Sequence, residues 1–126
     1  MSFPGAITAI TLFVDDVRAA RDFYAEVFGL PIHYEDDASA VFDFGNTLIN
    51  LLDAREAPGL IEPAPVGRST LGATTQLTIT VDDVDVVAAL VVERGAVLLN
   101  GPMDRPWGIR TAAFRDPSGH VWEIAS

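Results

Sequence analysis

Ala113-Phe114-Arg115-Asp116-Pro117-Ser118-Gly119-His120-Val121-Trp122-Glu123-Ile124 reads as strand, tight turn, strand. Asp116-Pro117-Ser118-Gly119 fits a type I turn. Asp at position i can bond the turn backbone, Pro presets φ at i+1, and Gly is favoured at i+3. Apolar runs flank the turn on both sides. Glu123 then falls inside the last strand, and alternation puts it on the face opposite Trp122 and Ile124. On a solvated face Glu123 is an ordinary surface charge. Facing a cavity, it is a polar group fixed on a rigid strand, so the surroundings of that face decide what it does.

Working outward, Gln76 to Val81 alternates strictly, with Leu77, Ile79 and Val81 on one face and Gln76, Thr78 and Thr80 on the other. Asp82-Asp83 can cap a helix whose buried stripe is Val84, Val87, Ala88 and Val91, and Gly95 ends it. Ala96 to Asn100 is a strand, Gly101 to Pro106 a loop, and Gly108 to Phe114 with His120 to Ala125 the final hairpin. The same order occurs earlier. Ile7 to Val14 is a strand, with Ile10, Leu12 and Val14 opposite Ala9, Thr11 and Phe13. Asp15-Asp16 caps a helix carrying Val17, Ala20, Tyr24, Val27 and Phe28, with Phe23 beside them, and Gly29 ends it. Pro31 to Glu35, Ala40 to Phe44 and Thr47 to Leu52 are three further strands.

The repeat is visible in the residues themselves. Val14-Asp15-Asp16-Val17 recurs as Val81-Asp82-Asp83-Val84, an offset of 67, and the terminating glycines 29 and 95 are offset by 66. The final strands align with an offset of 73, pairing Asn50 with Glu123. A shared tetrapeptide, a shared terminator and one element order together indicate an internal duplication. Asp53 to Ala73 holds three prolines and three glycines and reads as a long connection. The chain is therefore predicted to be a single α+β domain of two βαβββ modules. Module 1 spans about 6–52, the connection about 53–73 and module 2 about 74–126. Each module has a helix on one face of a four-stranded sheet. The other face carries Ala9, Thr11, Phe13, Leu48, Asn50 and Leu52 in module 1, and Gln76, Thr78, Thr80, Glu123 and Ala125 in module 2. Two such half-polar faces set together would enclose a lined cleft, a common form of small-molecule site.

The 126 residues suffice for one compact domain, and 49% of them are hydrophobic, which argues against disorder. Eighteen acidic residues against eight basic ones give a net charge of −10. Such a surface repels nucleic acid and anionic membranes, favours solubility, and would attract cationic ligands. There is no cysteine, so disulfides and thiolate metal sites are excluded, and a cytoplasmic location is compatible. Met1-Ser2-Phe3-Pro4-Gly5 lacks the basic-then-apolar pattern of a signal peptide, and no apolar run approaches the ~20 residues needed to span a membrane.

Three stretches carry a resemblance: Leu12-Phe13-Val14-Asp15-Asp16-Val17; Phe23-Tyr24-Ala25-Glu26-Val27-Phe28-Gly29-Leu30; and Phe114 to Glu123. With the βαβββ order, they make the chain similar to the vicinal oxygen chelate superfamily of glyoxalase I, bleomycin-resistance proteins and extradiol dioxygenases. The resemblance covers nearly all of the chain except Asp53 to Ala73. It implies a cleft with four metal-binding positions, which fall on Ala9, Asn50, Gln76 and Glu123. Only Glu123 is a strong ligand type. Ala9 has no donor atom, and Asn50 and Gln76 offer neutral oxygens, weak ligands for transition metals. His33 and His120 do not fill the gap and read as ordinary surface or edge residues.

What remains is Glu123, Gln76 and Asn50 as polar groups in a mostly apolar cleft. Phe13, Phe42 and Trp107 are candidate aromatic walls, Trp107 from Arg105-Pro106-Trp107-Gly108. Arg110 is a candidate to pair with Glu123 or to bind an anionic ligand group. The expectation is a metal-free, cofactor-free protein that binds a cationic or aromatic small molecule. The resemblance further implies a homodimer, since family clefts pair modules within or between chains. A glyoxalase-like lyase or isomerase, or a dioxygenase, is the alternative, but those chemistries use a metal to stabilise an enediolate or activate oxygen. A metal-free enzyme with Glu123 as general base is a third reading, although no nucleophile or oxyanion site stands out beside it.

Overall fold

The structure, a computed structural model, describes residues 2–126. Met1, the first residue of the stretch read for a leader, lies outside them. β1 (Ala9–Val14), α1 (Val17–Phe28), β2 (Ile32–Glu35), β3 (Ser39–Asp43) and β4 (Leu48–Asp53) form the first module. β5 (Gln76–Thr80), α3 (Val84–Glu93), β6 (Leu98–Asp104), β7 (Arg110–Arg115) and β8 (Val121–Ala125) form the second. The sheets have matching orders, β1-β4-β3-β2 and β5-β8-β7-β6, with the first pair of each parallel and the rest antiparallel. This is the predicted α+β architecture.

Local chemistry places the helices as expected. The Asp16 carboxylate accepts from the backbone N–H groups of Arg18 and Ala19, and Gly29 follows α1 in the left-handed region at φ 66°. Asp83 caps α3 by accepting from Val86 N, and Gly95 stands just beyond that helix at φ 108°. The duplication holds at the level of register. Ala9 pairs with Leu48 and Gln76 with Val121, so the offsets of 67 and 73 map one parallel ladder onto the other.

Most strand ends fall within one or two residues of the sequence reading, and two stretches differ more. β6 runs on to Asp104, through residues expected to form a loop. The register against β7 shifts between Leu98 and Asn100 and again between Asn100 and Met103, so the strand is bulged rather than ended. Gly101 makes this possible: a Cβ there would clash with the Thr111 carbonyl oxygen. The long connection contains a short helix, α2 (Pro58–Ile61), and a 3-10 turn at Ser69–Leu71. Among the described residues no helix is long and apolar enough to cross a membrane.

The two modules share one core, and they meet through their helix-covered sides. Tyr24 and Phe28 of α1 and Phe44 beyond β3 surround Trp122 of β8, with ring centroids at 5.9, 4.8 and 5.3 Å. Aromatic pairs of this kind contribute about 0.5–1.5 kcal/mol each beyond their buried area. A buried polar network locks the contact. The Tyr24 hydroxyl donates to Asp116 Oδ2 at 2.8 Å and accepts from Trp122 Nε1 at 2.9 Å. Burial and the neighbouring Asp116 charge push the Tyr24 phenol well above its ordinary range. Burial alone would raise the Asp116 carboxyl, but hydrogen bonds and charge from His120, with the Tyr24 hydroxyl, outweigh it and hold Asp116 below its usual range.

Candidate functional site

Because the helix-covered sides meet, the opposite face of each sheet is left open. In the first sheet, Thr11 of β1 lies beside Asn50 of β4, and Asn50 beside Val41 of β3. In the second, Thr78, Glu123 and Ala113 form the equivalent row, with Asn100 next to Ala113. Residues paired across a ladder point to the same face. Each open face therefore carries one polar pair at the same structural position. Asn50 Nδ2 lies 3.4 Å from Thr11 Oγ1, and Thr78 Oγ1 donates to Glu123 Oε1 at 3.0 Å. The Asn50 carbonyl oxygen is buried without a partner. Turning the amide about its axis would let the Thr11 hydroxyl donate to that oxygen.

Of the predicted site residues, Glu123, Gln76 and Asn50 do lie on open faces, and so does Phe13. Phe13 and Thr11 line a crevice of about 320 Å³ that also reaches Arg68, Thr74, Ser118 and His120. Glu123 and Gln76 share the second sheet, while Asn50 and Phe13 belong to the first. Among the described residues no hydrogen bond joins the two faces: the partner of Glu123 is Thr78 and that of Asn50 is Thr11.

Phe42 and Arg110 are not where the sequence reading put them. Phe42 pairs with Ile49, not with Asn50, so its ring turns to the helix side, where it is fully buried 5.8 Å from Tyr24. Val41, opposite Asn50, takes the open-face position in β3, with Ser39 and Asp43 on the same side. Arg110 has the parity of Ala112 and Phe114, which are both in the core. Its guanidinium reaches Asp85 of α3 at 2.8 Å and Asp104 at 3.1 Å, and not Glu123. Those hydrogen bonds raise its pKa further above an already basic value. Trp107 is 68% exposed in the turn before β7. His120 is also more than an edge residue. Its backbone N–H and its ring Nδ1 both bond Asp116, at 2.9 Å each. His33 stays exposed on β2.

Arg105 is the site residue that the sequence reading passed over. Its backbone N–H donates to the Ile109 carbonyl at 2.7 Å, closing the turn, and its side chain folds back over the open face. There Nε donates to Thr111 Oγ1 at 2.8 Å and Nη2 to Asn100 Oδ1 at 3.2 Å. The Trp107 ring centroid lies 5.8 Å from its Cζ. The sequence reading takes Trp107 alone from Arg105-Pro106-Trp107-Gly108, because nothing in alternation says which face a loop side chain will cover.

The donor set does not fit a resident transition metal. Ala9 offers no atom, Gln76 and Asn50 are neutral, and Glu123 alone is anionic. Among the described residues no three of His, Asp and Glu converge as metal ligands. The arrangement instead offers a carboxylate whose one side-chain partner among the described residues is a neutral hydroxyl. Glu123 therefore keeps lone pairs for a ligand donor or cation.

Comparison with known proteins agrees with this geometry. The family model described as Glyoxalase/Bleomycin resistance protein/Dioxygenase superfamily matches residues 6–124. The uncharacterised protein YraH of Bacillus subtilis (strain 168) is 35% identical over 122 residues, covering 91% of this chain and 93% of its own. A lactoylglutathione lyase from Agrobacterium tumefaciens superimposes with a TM-score of 0.76 at 26% identity, over 97% of this chain and 93% of its own. TnmS3, described as an antibiotic binding protein from Streptomyces sp. CB03234, superimposes with a TM-score of 0.71 at 27% identity, over 98% of this chain and 96% of its own.

Proposed function

Since the chain belongs to the Glyoxalase/Bleomycin resistance protein/Dioxygenase superfamily, we propose that it is a small-molecule-binding protein whose site works without a metal. The site takes a cationic or aromatic ligand against the Glu123 face. One observation carries this reading: Glu123, half-buried on a rigid strand, has a neutral hydroxyl as its partner and, among the described residues, no cation. A carboxylate left unneutralised on a partly dry surface is poised for a positively charged or hydrogen-bond-donating ligand. The net charge of −10 draws such ligands toward the protein. The likeness to a protein described as antibiotic-binding is in keeping with it.

The site is complete in a homodimer. Within one chain the helix-covered sides are used up in the shared core, and Thr11, Gln76, Thr78 and Thr80 remain exposed. Pairing the open face of one copy with that of another turns two shallow surfaces into a cleft. A lyase or isomerase like the Agrobacterium protein would need a metal-activated step, which this donor set does not support. The test is a thermal-shift screen of cationic and aromatic compounds, with elemental analysis of the same sample. Stabilisation by such compounds in metal-free protein supports the reading. One tightly held zinc, nickel, manganese or iron per chain, required for any shift, contradicts it.

A further inference from the structure

The second open face carries a fixed positive charge as well as a negative one. All eight basic residues of the chain are arginines, and Arg21, Arg55 and Arg110 each meet a carboxylate within 3.2 Å. Arg105 does not, among the described residues. Its two side-chain partners, Thr111 Oγ1 and Asn100 Oδ1, are both neutral. Thr111 is fully buried, so this anchor is rigid, and Trp107 lies against the guanidinium. The group is therefore oriented but not neutralised. A guanidinium has five N–H donors, and only two are engaged here, which leaves three for a further acceptor. What sets Arg105 apart from the other arginines without a carboxylate partner is its place: it is held by two neutral side chains on the face that carries Glu123, with an indole beside it.

The register places this cation relative to Glu123. Glu123 faces Ala113 across the ladder, and Asn100 faces Ala113 from the other side. Glu123 and the Asn100 anchor thus flank a methyl group and stand two strands apart, about 10 Å at ordinary strand spacing. The small Ala113 leaves the floor between them open. Met103 lies beside Thr111 at the margin, and the exposed Trp107 indole stands at the other side of Arg105.

We propose that Arg105 is a binding residue of this face, an anion subsite that takes the carboxylate of an aromatic ligand while Glu123 takes a cationic group at its other end. Trp107 supplies the aromatic surface beside the anion. The ligand class is then a zwitterionic aromatic molecule with its charges at opposite ends. This rests on the reading that the Glu123 face binds a small molecule, and it adds the second charge and its position.

The test uses three probes that share a benzene ring: benzoate, benzylammonium and 4-(aminomethyl)benzoate. Each is titrated against the full chain by calorimetry, in wild type, Arg105→Gln, Arg105→Lys and Glu123→Gln. Gln can still bond Thr111 and so preserves the anchor, and melting curves verify that each variant is folded. Arg105→Gln should weaken benzoate and 4-(aminomethyl)benzoate about tenfold, the size of one lost charge-assisted contact, and leave benzylammonium unchanged. Arg105→Lys should recover part of the loss. Wild type binding 4-(aminomethyl)benzoate more tightly than either singly charged probe completes the expected pattern. Benzoate binding that ignores Arg105→Gln, or the absence of saturable benzoate binding to wild type, overturns the proposal. The benzylammonium titration of Glu123→Gln tests the broader reading separately, because it does not involve Arg105.

Discussion

Thr78 Oγ1 donates to Glu123 Oε1 at 3.0 Å, and Thr11 lies against Asn50 at the same place in the other module. The equivalent position of each open face thus carries a polar pair, and one of the two is charged. Glu123 takes no part in an ion pair among the described residues, so removing its charge removes no structural partner. Glu123→Gln should therefore leave stability within about 0.5 kcal/mol of wild type or raise it slightly, while weakening any cationic ligand. Arg110→Gln is the contrast. It breaks contacts to Asp85 and Asp104 on the far side of the sheet, and it should lower the melting temperature slightly without touching ligand affinity. Melting curves and titrations of both variants at low and high salt check this. A drop of several degrees for Glu123→Gln would mean that the carboxylate is a structural group after all.

Tyr24→Phe removes one hydroxyl that bonds both Asp116 and Trp122 across the module boundary. It leaves the ring packing intact but strands the buried Trp122 indole N–H, while Asp116 Oδ2 loses one of its two partners and keeps the His120 ring. The expected loss is about 1–3 kcal/mol, read as a lower denaturant midpoint with an unchanged slope. A variant as stable as wild type would show that the network does not join the modules.

Asp116 also sets a pH response. Its carboxyl is held below the ordinary range in the folded protein and returns to about 3.9 on unfolding. A depressed folded value means that the unfolded chain binds the proton first as pH falls. The contribution of Asp116 is thus fully present above about pH 5 and is lost as pH drops through the folded value. Melting temperature followed from pH 6 downward should fall more steeply for wild type than for Asp116→Asn. Parallel curves would remove Asp116 from the acid response.

Exposed open faces on both modules predict self-association. Light scattering at micromolar concentration should give a mass near twice the 13.5 kDa chain. Thr78→Glu, which adds a second carboxylate beside Glu123 on the same face, should shift that population toward monomer by like-charge repulsion. A wild-type monomer at that concentration would leave the cleft without its second wall.

Much of this was legible in the residues because it depended on spacing. The offsets of 67 and 73 brought Ala9 to Gln76 and Asn50 to Glu123, and the ladders have that same register. The aspartate caps and terminating glycines were readable because each satisfies a local backbone requirement. Phe42 was misplaced because the parity of β3 depends on where its hairpins turn, and a one-residue difference reverses the face. The same parity sent Arg110 to Asp85. Arg105 was hidden for another reason. It belongs to a turn, and its place over Thr111 is fixed by a bulge at Gly101 that no alternation pattern reveals. Nor does periodicity say which side of two duplicated sheets will meet. That was decided by Trp122 packing into Tyr24, Phe28 and Phe44.

Metal-free binding at Glu123 is tested most directly by titrating benzylammonium into the protein before and after exhaustive chelation. Equal affinity in the two samples, with about tenfold weaker binding by chelated Glu123→Gln, is the expected result. Binding that disappears on chelation and returns with one equivalent of a divalent metal would contradict it.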